Sequence, residues 1–315
     1  MSKHRNQLPQ LSPRTYLTDG GLETTLIFHD GYELPQFAAF DLLTRPEGYG
    51  VLRDYYHKYV QVAKAGGYGF ILESATWRAS RDWGRKLGYS PADLRQINRK
   101  SIALLQDLRN AWESDATPMV ISGNVGPRGD GYQVENKMTA AQAQTYHQEQ
   151  IRTLSATDAD LVSAFTINYT AEAIGITRAA QAEGIPVVIS FTLETNGRLP
   201  SGQPLGEAID EVDQATGKGP AYYMINCAHP AHFRKTLEGH ESWRLRIRAI
   251  RANASTLSHA ELDEATELDA GDPADLGRRY VELKKLLPHL NIFGGCCGTD
   301  YRHVEAICRA LASMS

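Results

Sequence analysis

The chain of 315 residues is poor in cysteine, with four in all, at positions 227, 296, 297 and 308. Four clustered thiols in a chain this long do not make a disulfide framework, so reduced thiols are expected, and reduced thiols can bind metal. A basic excess is also lacking: 33 Lys and Arg against 37 Asp and Glu give a net charge of -4, with the cations spread along the chain. That argues against nucleic acid as a partner. No run of about 18 apolar residues exists to span a bilayer. The opening MSKHRNQLPQLSPR is polar and has no apolar leader core. The expectation is a soluble, cytoplasmic protein with neither membrane nor nucleic acid as a partner. Linker-like stretches and internal repeats are absent too. The first strand candidate runs into DGGLETT where a dinucleotide-binding chain would carry G-x-G-x-x-G.

What the chain does contain is an alternation of β-rich apolar runs and helix-period segments from end to end. Strands are predicted at 15–19, 68–76, 118–126, 159–166, 186–195, 221–227, 245–253 and 290–295. Helices are predicted between them, as at 46–66 and 139–158, and a last one at 300–314 carries Val304, Ile307 and Leu311 on one face with Cys308 beside them as a core thiol. Eight strands, each followed by a helix, predict an α/β fold: one (β/α)₈ TIM barrel occupying 1–315 as a single domain. The alternative, a doubly wound open sheet, is disfavoured by the missing glycine fingerprint. Long Gly- and Pro-containing segments at 123–139 and 197–206 fall on the C-terminal rim, where barrel active sites are built.

On such a barrel Cys227 ends the sixth strand, and Cys296 and Cys297 follow the eighth, so three thiols reach one rim. Three soft thiolates suit tetrahedral Zn²⁺ with the fourth position left for a water or a substrate. A substrate thiol taken up there would be deprotonated and would attack an electrophilic carbon. Two adjacent ligands need an irregular backbone, a task assigned to Gly294, Gly295 and Gly298. Other readings of GGCCGT remain open: a disulfide between Cys296 and Cys297, buried thiols without function, or a glycine-rich phosphate loop with incidental cysteines.

The segments LTDGGLET at 17–24, INC at 225–227, ANAS at 252–255 and GGCCGT at 294–299 resemble, in content and order, those of the zinc-dependent homocysteine S-methyltransferases. The resemblance implies that Cys227, Cys296 and Cys297 hold zinc and that homocysteine sulfur takes its open position. It then receives a methyl group from a sulfonium or betaine-type donor, giving methionine. It further implies that Asp19, with Gly20 and Gly21, places the substrates. Asn226 would support the metal site, and Asn253 and Ser255 would contact the amino-acid end. The chain also departs from the family. Phe165, in SAFTINY, stands where many members carry a glutamate that holds the acceptor, and TWRAS, with Trp77 and Arg78, replaces the usual tyrosine pattern, Thr76 and Trp77 being candidates to line the substrate pocket. Glu73 and Glu194 are candidates to supply the missing carboxylate. Trp77, Phe165 and Tyr169 are candidates for an aromatic wall facing an onium donor. The partners expected are thus a small thiol acceptor and an onium methyl donor. Two rivals are a phosphate-binding lyase or isomerase on the same barrel, and a zinc- or thiol-binding barrel without catalysis.

Overall fold

The computed structural model describes residues 2–314, the side chain of Asp263 excepted. Eight parallel strands close on themselves in chain order: β1 Tyr16–Leu17, β2 Gly69–Glu73, β3 Met119–Val125, β4 Leu161–Ile167, β5 Val187–Thr192, β6 Tyr223–Asn226, β7 Ile247–Ala252 and β8 Ile292–Gly295. Closure is made by β1 against β8, with Tyr16 opposite Ile292 and Leu17 opposite Phe293. Each strand falls where the sequence predicts it, β4 running one residue further. Runs such as VVISFT are buried on both faces because helices cover the outside and side chains fill the inside.

Between strands the chain returns through helices, among them Gly48–Gly66, Pro91–Trp112, Ala140–Ser155, Thr170–Ala182, Leu205–Thr216 and Pro273–Leu286; Tyr301–Ala312 follows β8. The first of these buries Leu52, Tyr55, Tyr56, Tyr59 and Ala63, three or four residues apart, and stops at Gly67 in the left-handed conformation. One expectation fails. The return from β6 to β7 holds a single turn of α-helix, Pro230–Phe233, and short 3₁₀ turns. Gly239, at φ 116°, lies in this stretch and breaks any longer helix.

Leu8, Tyr16, Ile71, Val120, Leu161, Val188, Tyr222, Met224, Ala249 and Ile292 form the inner core of the barrel. The segment carrying Leu8 is tied down by Asn291, whose Nδ2 donates to the carbonyls of Gln10, Ser12 and Arg14 at 3.0, 2.9 and 2.8 Å. With that end filled, inward-facing side chains at the C-terminal ends of the strands are left to line a cavity.

Candidate active and metal site

Cys227 leaves β6 in the left-handed backbone conformation, at φ 52°. For a residue with a Cβ this costs about 1 kcal/mol or more. Cys296 and Cys297 follow β8, and the three Sγ atoms lie within 4.8 Å of one another. Cys227 Sγ is 4.0 Å from Cys297 Sγ and is paired with Cys296 Sγ as a disulfide. The pairing therefore joins β6 to β8 and is not the Cys296–Cys297 bridge weighed from the sequence. Reduced, the three sulfurs make a compact donor set of the kind that holds a soft or borderline metal with one position open. Their surroundings fit that use. Asn226 Nδ2 lies 3.8 Å from Cys296 Sγ, Thr166 Oγ1 donates toward Cys227 Sγ at 3.9 Å, and the Tyr132 hydroxyl is 3.7 Å from Cys297 Sγ. Asn226 is itself fixed, its Oδ1 accepting from Ser190 Oγ at 2.6 Å and from the Thr166 amide at 3.0 Å.

The glycines around these cysteines do two different jobs. Gly298, at φ 77°, supplies the irregular turn as expected. Gly294 and Gly295 lie inside β8 and are needed for close approach: a Cβ on Gly294 would sit 1.9 Å from Thr18 Oγ1, and one on Gly295 would sit 2.0 Å from Thr299 Oγ1.

The sulfurs line a cavity of about 530 Å³. Opposite charges meet in its wall. Arg251, inward-facing on β7, reaches Asp19 Oδ1 with Nη1 at 2.8 Å, the Gly20 carbonyl with Nη2 at 3.0 Å and the Gly295 carbonyl with Nε at 3.0 Å. Asp19 Oδ2 accepts from the Tyr55 hydroxyl at 2.9 Å. The guanidinium also lies 4.9 Å from the centre of the Phe165 ring. Glu73, ending β2, points into the same cavity. Its burial pushes the carboxyl up to about 7 against the opposing pull of Arg251. Glu23 is likewise pushed up to about 7, chiefly by burial.

Of the residues singled out from the sequence, Asp19, Gly20, Gly21, Glu73, Trp77, Phe165, Asn226, Ser255 and the three cysteines share this cavity wall. Four do not. Thr76 donates to the Asn124 carbonyl at 2.7 Å, bracing the ends of β2 and β3. Glu194 pairs with His259 Nδ1 at 3.4 Å. Asn253 is buried behind the rim, its amide donating to the Ala228 carbonyl at 3.1 Å. The Tyr169 hydroxyl accepts from the Met138 amide at 3.2 Å, and the aromatic residues that line the cavity are Trp77, Phe165, Tyr132, Phe28 and Phe37. Sequence reasoning missed Arg251, Tyr132, Asn124 and Glu23. Arg251 had a readable signal, a charge two residues beyond inward-facing Ala249 on a strand, and such a charge demands a buried partner. Tyr132 had none, because it sits on a loop whose path no local pattern fixes.

GGCCGT does not cradle phosphate. The amides of Gly295, Cys296, Gly298 and Thr299 already donate to the Asp19 carbonyl, the Ala252 carbonyl, Thr24 Oγ1 and the Cys296 carbonyl, at 2.9, 2.8, 3.2 and 3.1 Å.

The homocysteine S-methyltransferase family profile matches residues 16–311. Homocysteine S-methyltransferase 4 of Zea mays is 23% identical across 94% of this chain and 89% of its own length. Homocysteine S-methyltransferase 2 of Arabidopsis thaliana is 22% identical, across 94% and 92%. Among solved structures, the homocysteine methyltransferase MmuM from Escherichia coli in its oxidized form superposes with a TM-score of 0.76 at 20% identity, covering 98% of each chain. Its metallated form gives 0.72 at 19% identity, over 96% of this chain and 97% of that one. With eight parallel strands closed into a barrel and the family's sequence running through nearly all of it, this chain belongs to the homocysteine S-methyltransferase family and is a methyltransferase.

Proposed function

We propose that the protein moves a methyl group from a sulfonium or betaine-type donor to the sulfur of homocysteine, giving methionine, with zinc held by Cys227, Cys296 and Cys297. The observation that carries this reading is the meeting of three sulfurs, remote in sequence, at the wall of a 530 Å³ cavity that also presents aromatic faces and a buried ion pair. Bound zinc would lower the pKa of an acceptor thiol, so that it is a thiolate at neutral pH.

The chain's own residues do the rest by positioning. Asp19, held between Tyr55 and Arg251, fixes the turn that carries Gly20 and Gly21 along the cavity wall. The absence of a Cβ at Gly21, where one would sit 2.6 Å from the Cys296 carbonyl, keeps that turn close against the thiols. Trp77 and Phe165 offer ring faces to a cationic donor, and the Trp77 Nε1 donates to the Phe165 carbonyl at 3.3 Å, holding the two rings in one wall. In the transfer, the acceptor sulfur forms a bond to the methyl carbon while the carbon–onium bond breaks, and the departing thioether or tertiary amine keeps the electron pair and leaves neutral. No general acid is required. Arg251 and Asp19 cancel one another's charge, so the wall stays closed without repelling a cation. We assign the protein to the cytoplasm, where thiols stay reduced; among the described residues no helix is long and apolar enough to cross a membrane.

Metal analysis and turnover test the reading together. Reduced protein should carry one zinc per chain, lose it in Cys227→Ser, and form methylated product from homocysteine with at least one onium donor in a panel. Zinc-replete protein that methylates no thiol in the panel would refute it.

A further inference from the structure

The cavity wall contains a carboxylate that the protein itself satisfies only in part. Glu73 is 3% exposed; Ser163 and Ser122 both hydrogen-bond its carboxyl, Ser163 Oγ at 3.4 Å from Oε1, and the buried Oε2 has no well-formed hydrogen bond among the described residues. Asn124 lies on the neighbouring strand β3, two residues beyond Ser122, the partner of Glu73 in the β2–β3 register. Asn124 lines the same cavity, and its Oδ1 also has no partner among the described residues. Two buried acceptors on adjacent strands, both on residues that line one cavity, carry a desolvation cost that a donor entering that cavity would relieve.

The nearest cation does not serve. Arg251 pulls on Glu73 through charge but hydrogen-bonds neither of its oxygens: Nη1 lies 2.8 Å from Asp19 Oδ1, and Nη2 and Nε donate to the carbonyls of Gly20 and Gly295. Glu23, the other raised acid of the wall, is less deeply buried than Glu73. A sulfonium or quaternary ammonium centre has no N–H to give. A primary ammonium has three donors and a full charge, which matches one carboxylate oxygen and one amide oxygen side by side.

We propose that Glu73, with Asn124 beside it, is the seat of the primary ammonium group of an amino-acid substrate. Phe165, 5% exposed in the same wall, offers that group no hydrogen-bond acceptor in its side chain. The carboxyl's elevation to about 7 reflects burial that outweighs the pull of Arg251 and the serine hydrogen bonds, and an ammonium beside it would favour the ionised form. The assignment rests on the methyl-transfer reading and adds to it the group that selects an amino acid over a plain thiol. Since homocysteine and an amino-acid sulfonium donor both carry such a group, the chemistry is shared and the test must separate the two.

The experiment compares kcat/KM of zinc-loaded wild type, Glu73→Gln and Asn124→Leu on four pairs: homocysteine or 4-mercaptobutanoate as acceptor, each with a sulfonium donor that carries an α-amino group or one that lacks it. Wild-type turnover with homocysteine checks the methyl-transfer reading separately, so its failure is not confused with failure of this one. Each variant is judged by its own ratio of amino to des-amino substrate, which cancels any difference in folded fraction. Loss of a charge-assisted hydrogen bond should lower that ratio by roughly tenfold to a hundredfold in Glu73→Gln, and by less in Asn124→Leu. A drop confined to the acceptor pair assigns the site to the acceptor's ammonium, and one confined to the donor pair assigns it to the donor's. If both ratios in Glu73→Gln stay within about threefold of wild type, the proposal is overturned.

Discussion

Arg251 on β7 and Asp19 at the end of β1 form a buried ion pair, 2.8 Å apart, with β8 lying between their strands in the sheet. Each needs the other. Removing one partner leaves an uncompensated charge in a wall that excludes solvent, at a cost of about 3–5 kcal/mol. Arg251→Met and Asp19→Asn should each lower unfolding free energy by an amount of that order in chemical denaturation. The double variant should be more stable than the sum of the two losses predicts, which a double-mutant cycle measures directly.

The three sulfurs should separate cleanly from the fourth. Cys227→Ser, Cys296→Ser and Cys297→Ser are each expected to cut bound zinc to well below one per chain and to abolish turnover. Cys308 packs in the core with Val304 and Ile307, its thiol pushed up to about 12 by burial. Cys308→Ala should keep metal and activity and cost about 1 kcal/mol of stability.

The aromatic wall can be tested through the donor. If Trp77 and Phe165 face the onium centre, Trp77→Leu should raise the donor KM by roughly twofold to thirtyfold, matching a cation–π contribution of about 0.5–2 kcal/mol. The acceptor KM should move less. An acceptor effect equal to the donor effect would remove the assigned role.

Stability should fall in acid through Asp300. This residue caps the helix Tyr301–Ala312, accepting from the Arg302 amide at 2.9 Å. Burial would raise its carboxyl, but the neighbouring His303 ring and the hydrogen bonds from Arg302 outweigh that and hold it far below the usual carboxylate range. A carboxyl depressed in the folded state contributes stability above its unfolded pKa, about 3.9, and loses it as pH falls toward the folded value. Asp300→Asn keeps a capping side chain but removes the charge. Wild type should exceed it by about 1 kcal/mol or more at pH 7, with the gap narrowing from pH 5 downward in urea titrations.

Gly294 offers a purely steric test. A methyl group there would meet Thr18 Oγ1 at 1.9 Å and the Asp19 carbonyl at 2.8 Å, and the latter is backbone that closes the barrel. Gly294→Ala should therefore destabilise by more than about 2 kcal/mol and weaken metal binding. Thr18→Ala alongside it should recover part of the loss.

What could be read from the chain itself follows from how local each signal is. Strands such as VVISFT and PMVISGNVG are apolar runs bounded by turn residues, and a parallel order with helices between them leaves few ways to bury both faces. That logic fails only between β6 and β7, where the connection crosses with one helical turn and no pattern demanded more. The cysteines were legible because strand ends fix which rim a residue reaches. Thr76 and Glu194 were misplaced from the cavity because a rim position does not say which way a side chain turns: Thr76 turns to the Asn124 carbonyl and Glu194 to His259.

The sequence by itself determined the barrel, its direction and the three thiols at one mouth, since hydrophobic periodicity and chain order suffice for those. Only the tertiary structure decided that Arg251 neutralises Asp19, that Tyr132 closes on Cys297, and that Glu73 Oε2 is buried without a well-formed hydrogen bond among the described residues. Those facts depend on distances between residues far apart in the chain, and at such separations a charge or a hydrogen-bond donor acts through the space the fold creates, with no trace in the local pattern.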